Sequence, residues 1–288
     1  MIRLDIATVL LQWATGGLLF LWVTTRRREV GIGYGWLLRA TFAVLAALAL
    51  VTGRALEPVP VREVASLGVV LAATVALAAS IVRRRAGVAG ERAEEARKAA
   101  RVAAMTGAPT SPKPPAAPPA PAPPEFPPVL DLVAPVIGAV GLVAAALDAG
   151  GGPALAVLRT LTGAAFLGAV TDAMLLGHWY LVQPGMARKP LLELVRWLTL
   201  IWPVEVLALL LPTGMLSVLS GSIADGYNGL LGWFWVACAL ATIVLCAVTR
   251  AALKERYYSA VMAATGFLYL AILTAFGTDL VARAVLAA

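Results

Sequence analysis

Apolar residues run through this chain in eight long blocks separated by short polar breaks: roughly 4–24, 36–53, 64–82, 129–148, 154–181, 190–212, 229–249 and 258–284. A helix rises about 1.5 Å per residue, so about 20 apolar residues cross a hydrocarbon core about 30 Å thick. The blocks have that length. None alternates with a period of two, so transmembrane helices are predicted rather than the strands of a barrel. The expected fold is an all-α, polytopic membrane protein of about eight spans.

One break is unlike the others. Residues 83–104 are charged and rich in alanine, with Glu94 and Lys98 at i,i+4 spacing, which predicts a solvated helix. Residues 109–128 then hold 11 of the 19 prolines. An Ala-Pro run cannot pack a core and favours extended polyproline II. Three regions follow: 1–82 with three spans, 83–128 as charged helix and tether, and 129–288 with five spans. Three spans beside five give no evident inverted repeat.

Composition agrees: 60% of the 288 residues are hydrophobic, 14% are charged, and mean hydropathy is +0.86. The net charge of +7 raises the question of nucleic acid, and its placement answers it. Arg26, Arg27, Arg28 and Arg39 follow span one, and eight more cations lie between Arg83 and Lys113. Arg188, Lys189 and Arg196 follow span five, and Arg250, Lys254 and Arg256 follow span seven. Only Arg3, Arg54, Arg62, Arg159 and Arg283 fall toward the other side. Alternate basic loops are the positive-inside pattern, which places both termini outside and the Pro-rich linker in the cytoplasm. The partner is the lipid bilayer, with room for other membrane subunits, and no nucleic acid. The Arg26-Arg27-Arg28 stop after span one argues for an uncleaved helix rather than a signal peptide. An Ala-, Arg- and Pro-rich chain with this pattern points to a bacterial inner (plasma) membrane.

Ionisable groups within spans are costly and are therefore the first functional candidates. They gather in spans five and six. Arg159 and Glu205 lie about 8 and 10 Å below the outer ends of their helices, and Asp172 and Arg196 both lie about 25 Å from the outside. The short loop between the helices makes them antiparallel neighbours, so two ion pairs are expected, Arg159–Glu205 and Asp172–Arg196. Pro203, two residues before Glu205, lacks an N–H and is expected to kink span six.

His178, the single histidine, is followed by Trp179 and Tyr180 near the cytoplasmic interface. The group reads as an aromatic belt or as a ligand site. In the second reading His178 binds or exchanges protons, Asp172 relays them, Arg196 balances charge, and Trp179 and Tyr180 line a pocket for a flat, lipid-soluble redox ligand such as a quinone. Haem fits less well, since one histidine excludes a bis-His site, and no conventional zinc ligand set is evident. Three functions follow in order: a quinone-binding membrane component, a small-solute or proton-coupled transporter using Glu205, and a scaffold or assembly subunit.

The remaining signals are structural. Asp279 and Arg283 read as a local surface pair. Gly31-x-Gly33-x-Gly35 reads as a loop, not a dinucleotide fingerprint. Gly16, Gly17, Gly138, Gly141, Gly163 and Gly168 are expected at close helix contacts. Cys238 and Cys246 lie on one helix face about 12 Å apart, too far to bridge each other, and are expected to be buried. The chain carries no P-loop, GxSxG or HExxH motif, so catalytic residues stay unassigned.

Overall fold

The computed structural model describes residues 4–86, 96, 100, 125–183 and 186–286. Glu94, Lys98 and nearly all of the Pro-rich run lie outside the described residues. Among those described, every regular element is helical. In chain order they are α1 (Ile6–Thr25), α2 (Ile32–Ala55), α3 (Pro60–Val82), α4 (Val133–Asp148), α5 (Pro153–Val182), α6 (Lys189–Leu210), α7 (Gly214–Leu219), α8 (Leu230–Lys254) and α9 (Tyr258–Leu286). Short 3₁₀ turns lie at Arg84–Ala86 and Pro128–Leu132.

Local chemistry starts these helices where the sequence allows. Asp5 caps α1, accepting from the backbone N–H groups of Ala7 and Thr8 at 3.1 and 3.2 Å. Proline occupies the first turn of α3, α5 and α6, where a missing N–H costs nothing. At the α3 start, Glu63 reaches back to the N–H of Val59 at 3.0 Å. Glycines 150 and 151, with φ of 76° and 80°, make the sharp turn into α5, a conformation a side chain would resist.

Seven helices are long and apolar enough to cross a membrane: α1, α2, α3, α5, α8, α9, and α4 together with its leading 3₁₀ turn. The block at 190–212 forms the 22-residue α6, but Lys189, Glu193, Arg196 and Glu205 interrupt its apolar run. Two local expectations need correction. Gly33 and Gly35 lie in the first turn of α2, not in a loop. They are small because the Trp179 ring and the Arg39 guanidinium pack there: a Cβ would come within 3.1 Å of the first and 2.7 Å of the second. The short helix α7, absent from the hydrophobic pattern because it is under two turns long, lies between α6 and α8.

α1 and α5 form the centre. α1 packs on α2, α4 and α5, while α5 also packs on α6 and α9. α2, α3 and α4 follow one another around α1; α8 closes the other side against α9 and α6. The central crossing is made by glycine on both helices. A Cβ on Gly16 would stand 1.8 Å from the Ala164 carbonyl oxygen, and one on Gly168 would stand 2.1 Å from the Gly16 carbonyl carbon. The expected close contacts hold at Gly17, Gly138, Gly141 and Gly163 as well. Small residues let backbones approach where lipid supplies no hydrophobic drive between helices. Both cysteines are free and buried.

Candidate functional site

Two polar layers mark the ends of the bundle. At the basic end, Arg39 of α2 forms a two-pronged ion pair with Asp131, with both bonds at 2.7 Å and both side chains almost fully buried. Thr25 donates to the same carboxylate at 3.0 Å, and Phe126 lies 4.4 Å from the guanidinium carbon. Glu125 pairs with Arg28 at 2.7 Å. The last residues of the Pro-rich linker are thereby docked on α1 and α2. Beside them, Glu193 accepts from Arg26 at 2.5 Å and Arg27 at 3.0 Å.

At the end carrying both termini, Arg62 is 1% exposed; its two terminal nitrogens bond Asp5, the Thr8 hydroxyl at 3.0 Å, the Glu57 carbonyl at 2.5 Å and Glu63 at 2.9 Å, while its Nε has no partner among the described residues. Arg62, Asp5, Thr8, Thr160 and Arg283 line a crevice of about 20 Å³, the size of one water molecule. Below it, the side chains of four helices meet. Gln12 of α1 donates to the Thr160 carbonyl of α5 at 2.7 Å. Arg283 of α9 donates to Asp279 at 2.7 Å. Gly163 leaves the space: a Cβ there would stand 2.7 Å from Asp279 Oδ1, 2.9 Å from Gln12 Nε2 and 3.2 Å from Arg283 Nη2. Glu205 of α6 completes the group, with the Asp279 carboxyl, Arg283 and Thr162 as its electrostatic neighbours.

The balance is uneven. Arg159 and Arg283 match Glu205 and Asp279 in number of charges, but not in hydrogen bonds. Both oxygens of Glu205, Oδ1 of Asp279, Oε1 of Gln12 and Nη2 of Arg283 are buried without a hydrogen-bond partner among the described residues. Buried polar atoms are nearly always paired. These five unpaired atoms lie on three helices, α1, α6 and α9.

The expected ion pairs do not form among the described residues. Arg159 spends its guanidinium on the carbonyls of Ala208, at 2.8 Å, and Leu211. It seals the end of α6, whose last carbonyls have no helical acceptor role to fill. Arg196 is exposed, whereas Asp172 is fully buried with neither carboxyl oxygen paired. Equal depth placed these residues at one level but not on facing sides. Asp279 and Arg283, expected at the surface, are 0% and 1% exposed. Their i,i+4 spacing fits both situations, and only the packing of α9 on α5 turns them inward.

The aromatic set is also divided. His178 is exposed and shares a 3.2 Å hydrogen bond with Tyr269 of α9. Trp179 turns toward α2, its ring 6.2 Å from Tyr34, and bonds Gln183 at 3.2 Å. Tyr180 is buried and donates to the Ala187 carbonyl. Asp172 lies in the core beside Tyr34, whose hydroxyl donates to its backbone carbonyl at 3.3 Å. The three thus do not meet: His178 is exposed against Tyr269, Arg196 is exposed on α6, and Asp172 is buried in the core. Sequence reading missed Gln12, the Arg39–Asp131 pair and the Arg62 cluster. Buried charge on Asp131 and Arg62 carries no local signature at a helix end, where exposed charge is usual.

A bundle of long apolar helices, seven of them long and apolar enough to cross a membrane, with most of its buried charge near the two ends, is the make-up of a multi-pass membrane protein. No protein-family model, curated protein or solved structure matches the chain.

Proposed function

We propose that this chain is an eight-span protein of a bacterial inner membrane, with termini outside, that passes protons or a small cation through the cluster around Glu205. One observation supports this above the rest: the Glu205 carboxyl is fully buried, neither oxygen makes a well-formed hydrogen bond among the described residues, and its nearest polar side chains are Thr162 and a second carboxyl, Asp279, already held by Arg283. A carboxyl kept in that state inside a membrane is costly. A function that loads and unloads it accounts for the cost. Asp279 and Gln12 supply acceptor oxygens, Arg283 keeps Asp279 in place, and Arg159 holds the end of α6 over the site. Asp172 is a second unpartnered carboxyl about 20 Å further along α5 from Arg159. It serves as the inner station of the same route.

The test is proton flux in proteoliposomes carrying an internal pH dye, driven by a potassium diffusion potential. Wild type acidifies or alkalinises the lumen faster than protein-free vesicles, and Glu205→Gln returns the rate to theirs. A wild-type rate equal to that of empty vesicles, with potassium and sodium flux also at background, refutes the reading.

The quinone reading keeps one supporting feature. The His178–Tyr269 pair faces outward from the bundle, where a lipid-soluble ligand arrives sideways from the bilayer. Organic extraction of purified protein tests it: stoichiometric quinone that is lost in His178→Ala supports a redox role. With neither flux nor quinone, the scaffold reading stands.

A further inference from the structure

At the basic end, α6 and α8 diverge into an open groove with a volume of about 420 Å³. Five cations line it, Arg27, Lys189, Arg196, Arg250 and Lys254, against a single carboxylate, Glu193. That carboxylate is already shared between Arg26 and Arg27. Lys189 has a distant partner in Glu29 at 3.9 Å. Arg196, Arg250 and Lys254 are exposed and make no ion pair among the described residues. Three unpaired cations beside a guanidinium-rich wall form a strong anion trap, because like charges this close gain by sharing a multivalent anion.

The surface leading away from the groove is apolar. One helical turn above Arg196 stands Leu200, 53% exposed, followed on the same face by Val204 and Leu207 at 47% and 58%. On α8 the exposed Leu240, Val244 and Val248 form a second apolar face, ending at the same level as Arg250 but turned away from it around the helix. Leu192 forms the apolar part of the groove wall. Cations at the membrane interface with an apolar track rising from Arg196 match one kind of molecule: a phosphate headgroup with acyl chains attached. A soluble phosphate compound would use the cations and leave the track idle.

We infer that this groove is a binding site for an anionic phospholipid, its phosphate held by Arg196, Arg250 and Lys254 and its acyl chains lying along α6. The inference does not rest on the proton-transfer reading. Basic pockets between helices on the cytoplasmic side are suited to such headgroups, and each cation near the phosphate strengthens binding by about fivefold.

The full chain, purified in mild detergent and stripped of lipid, is titrated with phosphatidylglycerol, cardiolipin or phosphatidylcholine, and separately with inorganic pyrophosphate. Binding is read by native mass spectrometry and by the shift in Tm. The two anionic lipids are expected to bind with defined stoichiometry, and phosphatidylcholine and pyrophosphate at least about tenfold more weakly. The double variant Arg196→Gln/Arg250→Gln is expected to lose at least about tenfold in affinity for anionic lipid, while Arg54→Gln, an exposed cation at the other end, loses none. Should the double variant fail to fold by circular dichroism, Lys254→Gln alone is expected to lose about fivefold. Equal binding of phosphatidylcholine overturns the inference, as does unchanged affinity in the folded variants. Pyrophosphate binding as tight as cardiolipin also overturns it, assigning the groove to a soluble polyphosphate instead.

Discussion

Replacing Gly168 by alanine tests the central crossing directly. The new Cβ would stand 2.1 Å from the carbonyl carbon of Gly16, 2.4 Å from its oxygen and 2.6 Å from its Cα. Carbon atoms rest at about 3.5–4.0 Å, so α1 and α5 must part by about 1.5 Å or tilt. No side chain can rotate away, because all three obstructing atoms are backbone. Overpacking costs about 1–3 kcal/mol where side chains can adjust, and a backbone obstacle places this change at or above the upper end. Helix propensity returns about 1 kcal/mol on going from glycine to alanine. A net loss of about 2 kcal/mol or more is expected. The control is Gly266→Ala in α9, where a Cβ meets nothing within 4 Å; it is expected to be neutral or to stabilise by up to about 1 kcal/mol. Both are measured by unfolding in mixed micelles with increasing sodium dodecyl sulfate, followed by circular dichroism. If Gly168→Ala unfolds at the same detergent fraction as Gly266→Ala, the backbone contact between α1 and α5 is wrong.

Three further outcomes follow. Asp131→Ala strands the Arg39 guanidinium in the core and is expected to cost about 3–5 kcal/mol in the same assay, whereas Arg39→Met/Asp131→Leu together should cost far less, since breaking a buried pair is worse than replacing it. In the loop before α8, the Asp225 carboxylate accepts from the N–H groups of Gly229, Tyr227 and Leu231 at 2.8–2.9 Å, and the Gly229 bond leads in holding its pKa below the ordinary aspartate value. The stabilised loop is therefore present above the ordinary aspartate range and lost as pH falls through the lowered pKa; amide chemical shifts of Gly229 and Leu231 should move there, and Asp225→Ala should abolish that transition. Gly163→Leu fills the space facing Asp279, Gln12 and Arg283, and proteoliposome flux should drop as far as in Glu205→Gln; undiminished flux with the fold intact places the route elsewhere.

Much of the architecture was legible in the order of residues. Apolar runs of about 20 residues bounded by charge, proline and glycine marked every long helix to within about five residues, because bilayer thickness sets a minimum apolar length and backbone hydrogen bonding requires a helix. Small residues announced the close crossings for the same local reason. The candidate site was only half legible. Glu205 and Arg159 stood out because charge within an apolar run is conspicuous, yet their partners could not be read. Asp279 and Arg283 carry the same i,i+4 spacing on a buried face as on an exposed one, and Gln12, uncharged, gives no signal at all. Asp172 and Arg196 agree in approximate depth, which rise per residue determines, but differ in azimuth around the bundle. Azimuth depends on which neighbour each helix packs against and at what rotation. In a membrane both the lipid-facing and the buried sides of a helix are apolar, so the pattern that orients a helix in water is nearly silent. The crossing at Gly16 and Gly168, and the packing of α9 on α5, decided which charges meet.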